Sequence, residues 1–307
     1  TSKTIIRNSM QGRKPMKVAI IGANGQLGSD LVKVFQGGNI VPLTHSDIEI
    51  TNPAQTDSVL RNIRPDVVIN TAAFHRVEDC ETEYARAFEV NGIGAANLAR
   101  SLEKLGAVLV HISTDYVFDG KKRKPYLEDD PPNPLNTYGL TKLVGEYYIR
   151  NLCSRHYIIR TSGLYGLARC RAKGGNFIDT MLQLVKEQPE LKVVDDQVLV
   201  PTYTWDLAHK IKELLTKDRI NHYGICHMAN SGQCSWYEFA AMIFELEGLN
   251  SANLRRVTSE EFRSKVLRPH YSVLGSKVLE SMGIEPLRPW QDALKDYMAQ
   301  RRQHTIL

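Results

Sequence analysis

The sequence lacks the features that mark several protein classes. Its 307 residues contain no apolar run near the roughly 18 positions that a membrane-spanning helix needs. The five cysteines, Cys80, Cys153, Cys170, Cys226 and Cys234, are odd in number and form no C-x-x-C pair. That argues against a disulfide framework or a zinc knuckle and fits reduced thiols in the cytoplasm. Glycine and proline, at 21 and 13 residues, stand near ordinary usage, which excludes collagen-like and low-complexity chains. No acidic residue precedes Asp30, whereas Lys3, Arg7, Arg13, Lys14 and Lys17 do. This local excess accounts for the net charge of +5, since the remaining 34 Lys and Arg face 34 Asp and Glu. The balance does not support a nucleic-acid groove. The basic stretch has no apolar core of a secretory signal and reads as a flexible extension over residues 1–16, with a transit peptide as the alternative.

What is present is alternation. Strand-like runs at Lys17–Ile21, Ile40–Leu43, Val67–Asn70, Ala107–Ile112 and Tyr157–Arg160 alternate with helical spacings such as Leu27, Leu31, Val34, Phe35 and Leu98, Leu102, Leu105. Such alternation implies βαβ units and a parallel sheet. Pro53 and Pro65 fall at a helix start and just before a strand, where proline is tolerated. After about residue 163 the pattern weakens into short mixed elements, with helices expected around Trp236–Glu245 and Trp290–Met298. The chain therefore divides into a dinucleotide-binding domain over 17–162, completed by part of 200–230, and a smaller, mainly substrate-binding α/β region over 163–307.

The first strand runs into Gly22-Ala-Asn24-Gly25-Gln26-Leu27-Gly28 and then into helical spacing, the order a phosphate-binding turn requires. Gly22 suits the tight turn, Gly25 lets backbone approach a diphosphate, Gly28 lets helix and strand pack, and the helix N-terminus supplies amide donors. This points to a Rossmann-type doubly wound sheet. The second strand ends in Thr44-His45-Ser46 rather than an acid, so a 2′-phosphate meets donors there and NADP is favoured; Asp47 stands close enough to take the acid's role, which leaves NAD as the alternative.

Tyr138 and Lys142 lie four apart on a predicted helix whose apolar stripe reads Leu140, Leu143, Val144 and Tyr147. The pair is expected outside that packing face, with the ammonium lowering the phenol's pKa so that it passes a proton near neutral pH. Spacing alone decides nothing, but the strand Val108–Ile112 ends in Ser113-Thr114-Asp115-Tyr116, at the carboxyl edge where open α/β sheets bind ligands. Thr114 there suits a hydrogen bond to a substrate carbonyl, or a simple cap of the strand turn.

Taken together, the glycine loop, Asn70-Thr-Ala72-Ala73, Ser113–Phe118, Tyr138-x-x-x-Lys142 and Arg160-Thr-Ser162 resemble the extended short-chain dehydrogenase/reductases. With Gly175-Asn176-Phe177, Asp196-Gln197 ahead of Pro201-Thr202, Cys234–Tyr237 and Arg268–Leu274, they resemble more closely the dTDP-4-dehydrorhamnose reductase family within them, over Lys17 to Met298. The resemblance implies NADPH-dependent reduction of the 4-keto group of a nucleotide-linked 6-deoxyhexulose. Tyr138 then gives the proton, Thr114 polarises the carbonyl, and Lys142 binds the nicotinamide ribose and tunes Tyr138, with Asn91 orienting Lys142. Ala72 and Ala73 lie along the cofactor; His75, Val77, Asp115, Tyr116, Asn176 and Arg268 are substrate-side candidates. A homodimer is a candidate assembly, and no ligand set for magnesium or another metal is evident.

Two departures qualify the resemblance. Gly163 stands where many relatives place tryptophan, so an apolar wall of the sugar pocket is expected to be missing, and Leu167–Lys173 is longer and more basic, with Arg169, Arg171 and Lys173 as candidates to reach a diphosphate. They put the sugar in question and keep two alternatives: a reductase or epimerase of another nucleotide sugar, and an NADP-binding regulatory subunit like the methionine adenosyltransferase β-subunit. A dehydratase is disfavoured because Tyr116 occupies the place of its acid.

Overall fold

The computed structural model describes residues 15–168, 175–217, 222–250 and 253–305. Residues 1–14 of the basic stretch, Cys170, and Arg169, Arg171 and Lys173 lie outside them. The first half alternates as its sequence pattern predicts: β1 (Lys17–Ile21), α1 (Gln26–Val34), β2 (Asn39–Leu43), α2 (Pro53–Ile63) and β3 (Val67–Asn70). Two short helices, α3 (Val77–Thr82) and α4 (Tyr84–Phe88), lead through a wide helical turn into α5 (Ala95–Leu105), β4 (Val108–Thr114), α6 (Thr137–Leu152) and β5 (His156–Thr161). Beyond them come β6 (Leu164–Tyr165), α7 (Phe177–Glu187), β7 (Leu191–Val194), β8 (Val198–Leu199), β9 (Thr202–Tyr203), α8 (Thr204–Lys217) and β10 (Gly224–His227). The chain closes with β11 (Cys234–Ser235), α9 (Trp236–Leu246), β12 (Leu254–Val257), α10 (Ser259–Phe262), α11 (Lys277–Ser281) and α12 (Trp290–Thr305).

Six parallel strands form the central sheet in the order β2-β1-β3-β4-β5-β10. Strands of a sheet covered on both faces bury alternate residues on opposite sides. Val18 and Ile20 pack with Leu27 and Leu31 of α1 and Leu207 and Ile211 of α8. Ala19 and Ile21 pack with Leu60 of α2 and Leu98 and Leu102 of α5 on the other face. A separate core joins Tyr165, Leu182, Phe239, Ile243, Leu294 and Tyr297 of the C-terminal elements. Because β2 lies on one side of β1 and β3 on the other, the loops leaving β1 and β3 diverge at the carboxyl edge and open a crevice there.

The expected packing face of α6 is corrected by the structure. Leu140 and Tyr147 are about half exposed, whereas Thr141, Lys142, Leu143, Gly145, Glu146 and Ile149 are buried. Polar side chains take the inner face because each has a partner there: Thr141 meets Asn91, Lys142 meets His111, and Glu146 meets Arg160. Burying a charge is tolerable only with such partners. Apolar periodicity located the helix but not the side on which it packs.

Candidate active site

The loop after β1 makes the first part of the site. Gly22 has φ +79°, and a Cβ there would lie 2.5 Å from the Thr71 hydroxyl. A Cβ on Gly28 would lie 2.1 Å from the Gly22 carbonyl oxygen. The first helical amides of α1 have no partner within the helix, and its N-cap, Gly25, has no side chain to satisfy them. Across the crevice, Thr71 donates to the Ile21 and Gly22 carbonyls, which sets Ala72 and Ala73 beside the loop. Open amides at a helix N-terminus, close backbone approach and a positive dipole fit a dinucleotide's diphosphate. Asn24 is exposed on the loop, Leu27 is buried in the sheet core, and Gln26 Nε2 donates to the Gly166 carbonyl at 3.3 Å. Of the sequence candidates here, Leu27 therefore offers backbone alone.

At the end of β2 the acceptors are already engaged. Asp47 Oδ2 accepts from the Thr44 amide at 2.8 Å and the Thr44 hydroxyl at 2.7 Å, which holds its carboxyl below the ordinary range. His45 pairs with Glu49. Asp47 thus closes a turn onto Thr44 rather than reaching across the crevice.

The second part lies where β4 ends. Thr114 caps the turn that follows β4, accepting from the Tyr116 amide at 3.1 Å and donating to Asp115 at 3.0 Å. Its hydroxyl also favours the ionised form of Tyr138, and the Tyr116 and Tyr138 rings meet edge to face with centroids 5.9 Å apart. Capping and site roles are thus combined in Thr114. Asp115 is buried, and burial raises its carboxyl to about 6 against the pull of Ser272, Ser162 and Thr114. Burial and then Asp115 push Tyr116 up to about 12, opposed by Arg268.

The expected lowering of Tyr138 by Lys142 is also corrected. Burial raises Tyr138, and the Thr114 hydroxyl is the largest influence in the other direction. Lys142 is turned inward: its Nζ donates to the Ile112 carbonyl at 2.7 Å and lies 3.1 Å from His111 Nε2. Burial pushes Lys142 down to about 8, and Glu146 opposes the shift. Nor does Asn91 hold Lys142; its amide clasps the Phe74 backbone N–H and carbonyl, each at 2.9 Å, and donates to Thr141 at 3.0 Å. His111 and Glu146 were passed over in the sequence, the first as part of an apolar strand. A histidine at a buried position of a parallel-sheet strand was the available signal.

The outer candidates separate. His75 bonds the Ala73 carbonyl, Val77 is buried at the start of α3, and Arg268 pairs with Glu78 and opposes the rise of Tyr116, whose ring meets that of Tyr138. Asn176 caps α7 and donates to Gly166 and Tyr297, which spends its polar atoms on the scaffold. Gly163 has φ +53°, and a Cβ there would lie 2.9 Å from Leu199 Cδ1 and 3.0 Å from the Val200 carbonyl. The backbone at 163 is thus built for glycine; no vacant socket for an indole remains.

A family profile described as the RmlD substrate binding domain matches residues 16–303. The chain belongs to that family. Among its relatives, the spore coat polysaccharide biosynthesis protein SpsK of Bacillus subtilis is 44% identical over 93% of this chain and 98% of its own length. A crystal structure of a dTDP-4-dehydrorhamnose reductase from Clostridium acetobutylicum is 41% identical, covers 94% of this chain and 100% of its own, and superposes with a TM-score of 0.87. A dTDP-4-dehydrorhamnose reductase from Bacillus anthracis, in complex with NADP, is 38% identical with a TM-score of 0.86 over 93% of this chain and 99% of its own. Members of the RmlD family share this Rossmann-type fold, so the crevice and the Thr114–Tyr138 pair lie in a scaffold common to reductases. Among the described residues, no helix is long and apolar enough to cross a membrane, and no group of three or more His, Cys, Asp or Glu is placed to hold a metal ion.

Proposed function

We propose that the protein is an oxidoreductase that uses NADPH to reduce the 4-keto group of dTDP-4-dehydro-6-deoxy-L-mannose (dTDP-4-dehydrorhamnose), forming dTDP-L-rhamnose. The observation that carries this reading is that Thr114, at the carboxyl end of β4, and Tyr138, in the first turn of α6, meet at the edge of the sheet that also presents the N-terminus of α1. The names of the relatives, one in complex with NADP, support the sugar and the cofactor.

The Gly22–Gly28 loop holds the diphosphate, Ala72 and Ala73 line the groove, and Thr44, His45 and Asp47 sit at the adenosine ribose. When bound, the reduced nicotinamide supplies hydride to the carbonyl carbon. Thr114 and Tyr138 hydrogen-bond the carbonyl oxygen, and the Tyr138 hydroxyl delivers the proton that completes the alcohol. Lys142 binds the nicotinamide ribose. His75, Val77, Asp115, Tyr116 and Arg268 surround the sugar nucleotide, with Arg268 suited to its phosphates. In this reading residues 17–162, completed by α8 and β10 from 200–230, serve the cofactor and residues 163–307 mainly the substrate; α8 and β10 share the sheet core, and the separate C-terminal core supports the second region.

A homodimer belongs to the same proposal. Tyr84 and Phe88 on α4 and Leu140 and Tyr147 on α6 are exposed apolar side chains on two helices in contact, a face suited to a second copy. Sedimentation should give twice the chain mass, and Leu140→Glu with Tyr147→Glu should give the monomer; a wild-type monomer would remove the dimer.

The assay is NADPH with freshly generated dTDP-4-dehydrorhamnose, following nicotinamide absorbance and identifying the sugar. The account expects oxidation of one NADPH per dTDP-L-rhamnose formed. NADPH binding without oxidation would favour the regulatory-subunit or other-sugar alternatives.

A further inference from the structure

Hydrogen-bond polarity can be followed from the β3 loop to Lys142, atom by atom. The Ala72 backbone N–H can only donate, and it donates to Asn70 Oδ1 at 3.1 Å. That turns the Asn70 amide so that Nδ2, also only a donor, faces His111 Nδ1 at 3.1 Å. Nδ1 is therefore the acceptor. His111 is 1% exposed, and burial keeps the ring neutral, so its single proton sits on Nε2. Nε2 lies 3.1 Å from Lys142 Nζ. An Nε2–H and an ammonium are both donors, so the contact is a hydrogen bond only when Nζ offers a lone pair.

We infer that His111 is a positioning residue for Lys142: the donor sequence Ala72, Asn70, His111 ends on the Nζ lone pair and favours the neutral amine of Lys142 in the cofactor-free protein. One amine N–H goes to the Ile112 carbonyl and the other is left for a ligand. The geometry stands without the reductase reading; its consequence for turnover rests on that reading's use of Lys142. The opposing group is Glu146, one turn along α6, which favours the ammonium but is itself bound by Arg160 of β5 and Ser113 of β4. Asp115 and Tyr116 beyond β4 act on Tyr138, and Glu81 of α3 is held by Thr137 at the start of α6.

The test is the His111 tautomer, read by long-range proton–nitrogen NMR on cofactor-free protein labelled with ¹⁵N-histidine at pH 9, above the value of about 8 to which burial brings Lys142. Nine histidines contribute, and His111 is assigned by the signal lost in His111→Gln. A neutral ring protonated on Nε2 is expected; protonation on Nδ1, or an imidazolium, overturns the inference. Asn70→Asp replaces the donor with an acceptor and should move the proton to Nδ1. Nε2 then accepts from an ammonium, and the alkaline limb of kcat/KM should rise by about one pH unit. A tautomer that does not change, or a limb that stays in place when it does, contradicts the assigned link. Should Asn70→Asp fail to fold, the wild-type tautomer decides alone, and since it needs no substrate, its outcome is independent of whether the protein reduces the proposed sugar.

Discussion

At the scale of single residues, the site is governed by burial. Asp115 shows its cost most directly, because the folded state holds its carboxyl near 6 against about 3.9 for a free aspartate. Between those values the folded protein binds more protons than the unfolded chain, so this group makes stability fall as pH rises from about 4 to about 6. Above that window the whole penalty, about 2–3 kcal/mol, persists. Asp115→Asn removes the titration, so its stability relative to wild type should improve by about that amount between pH 4 and pH 7, as read from urea unfolding. A difference independent of pH would refute the raised carboxyl. Lys142→Met should weaken both NADPH binding and turnover, measured by fluorescence titration and steady-state rates; unchanged values in both would take Lys142 out of the site. The placing of Thr114 at a strand end and of Tyr138 and Lys142 one turn apart on a helix was legible from the sequence. What each touches was not, because His111, Glu146 and Arg160 come from other elements and meet only after folding.

At the scale of elements, backbone geometry decides what is allowed. Gly28→Ala puts a methyl group into the Gly22 carbonyl, 2.1 Å away, and should force α1 from β1 at a cost of about 1–3 kcal/mol. NADPH affinity should fall at least about tenfold by calorimetry, since about 1.4 kcal/mol is a factor of ten; unaltered affinity would place the diphosphate elsewhere. Gly163→Ala meets a left-handed backbone, which costs about 1–2 kcal/mol, and Leu199 besides. A lowered unfolding midpoint is expected, and a raised one would contradict the view that 163 has no room for a side chain. The strands, α1 and α5 were readable because their apolar periods match the sheet's two covered faces, and Pro53 marked the start of α2. The inner face of α6 was not, because Lys142, Glu146 and Thr141 look like a solvent face until their partners appear.

At the scale of the whole molecule, strand order makes the site. Loops after β1 and β3 part at the switch point, β4 on the far side of β3 delivers Thr114 to the same carboxyl edge, and α6 brings Tyr138 there. The sequence revealed this half because parallel βαβ units repeat one pattern. In the C-terminal half the helices expected at Trp236 and Trp290 appear as α9 and α12, but the two-residue strands and short helices that share their core carry too little periodicity to be read in advance.

The most direct test of the central claim is single-turnover reduction by wild type and Tyr138→Phe, each saturated with NADPH and mixed with dTDP-4-dehydrorhamnose. Equal NADPH affinity is expected in both, with reduction slowed by about 10²–10⁴-fold in the variant, the range for loss of a general acid. Reduction at the wild-type rate by Tyr138→Phe would contradict the account.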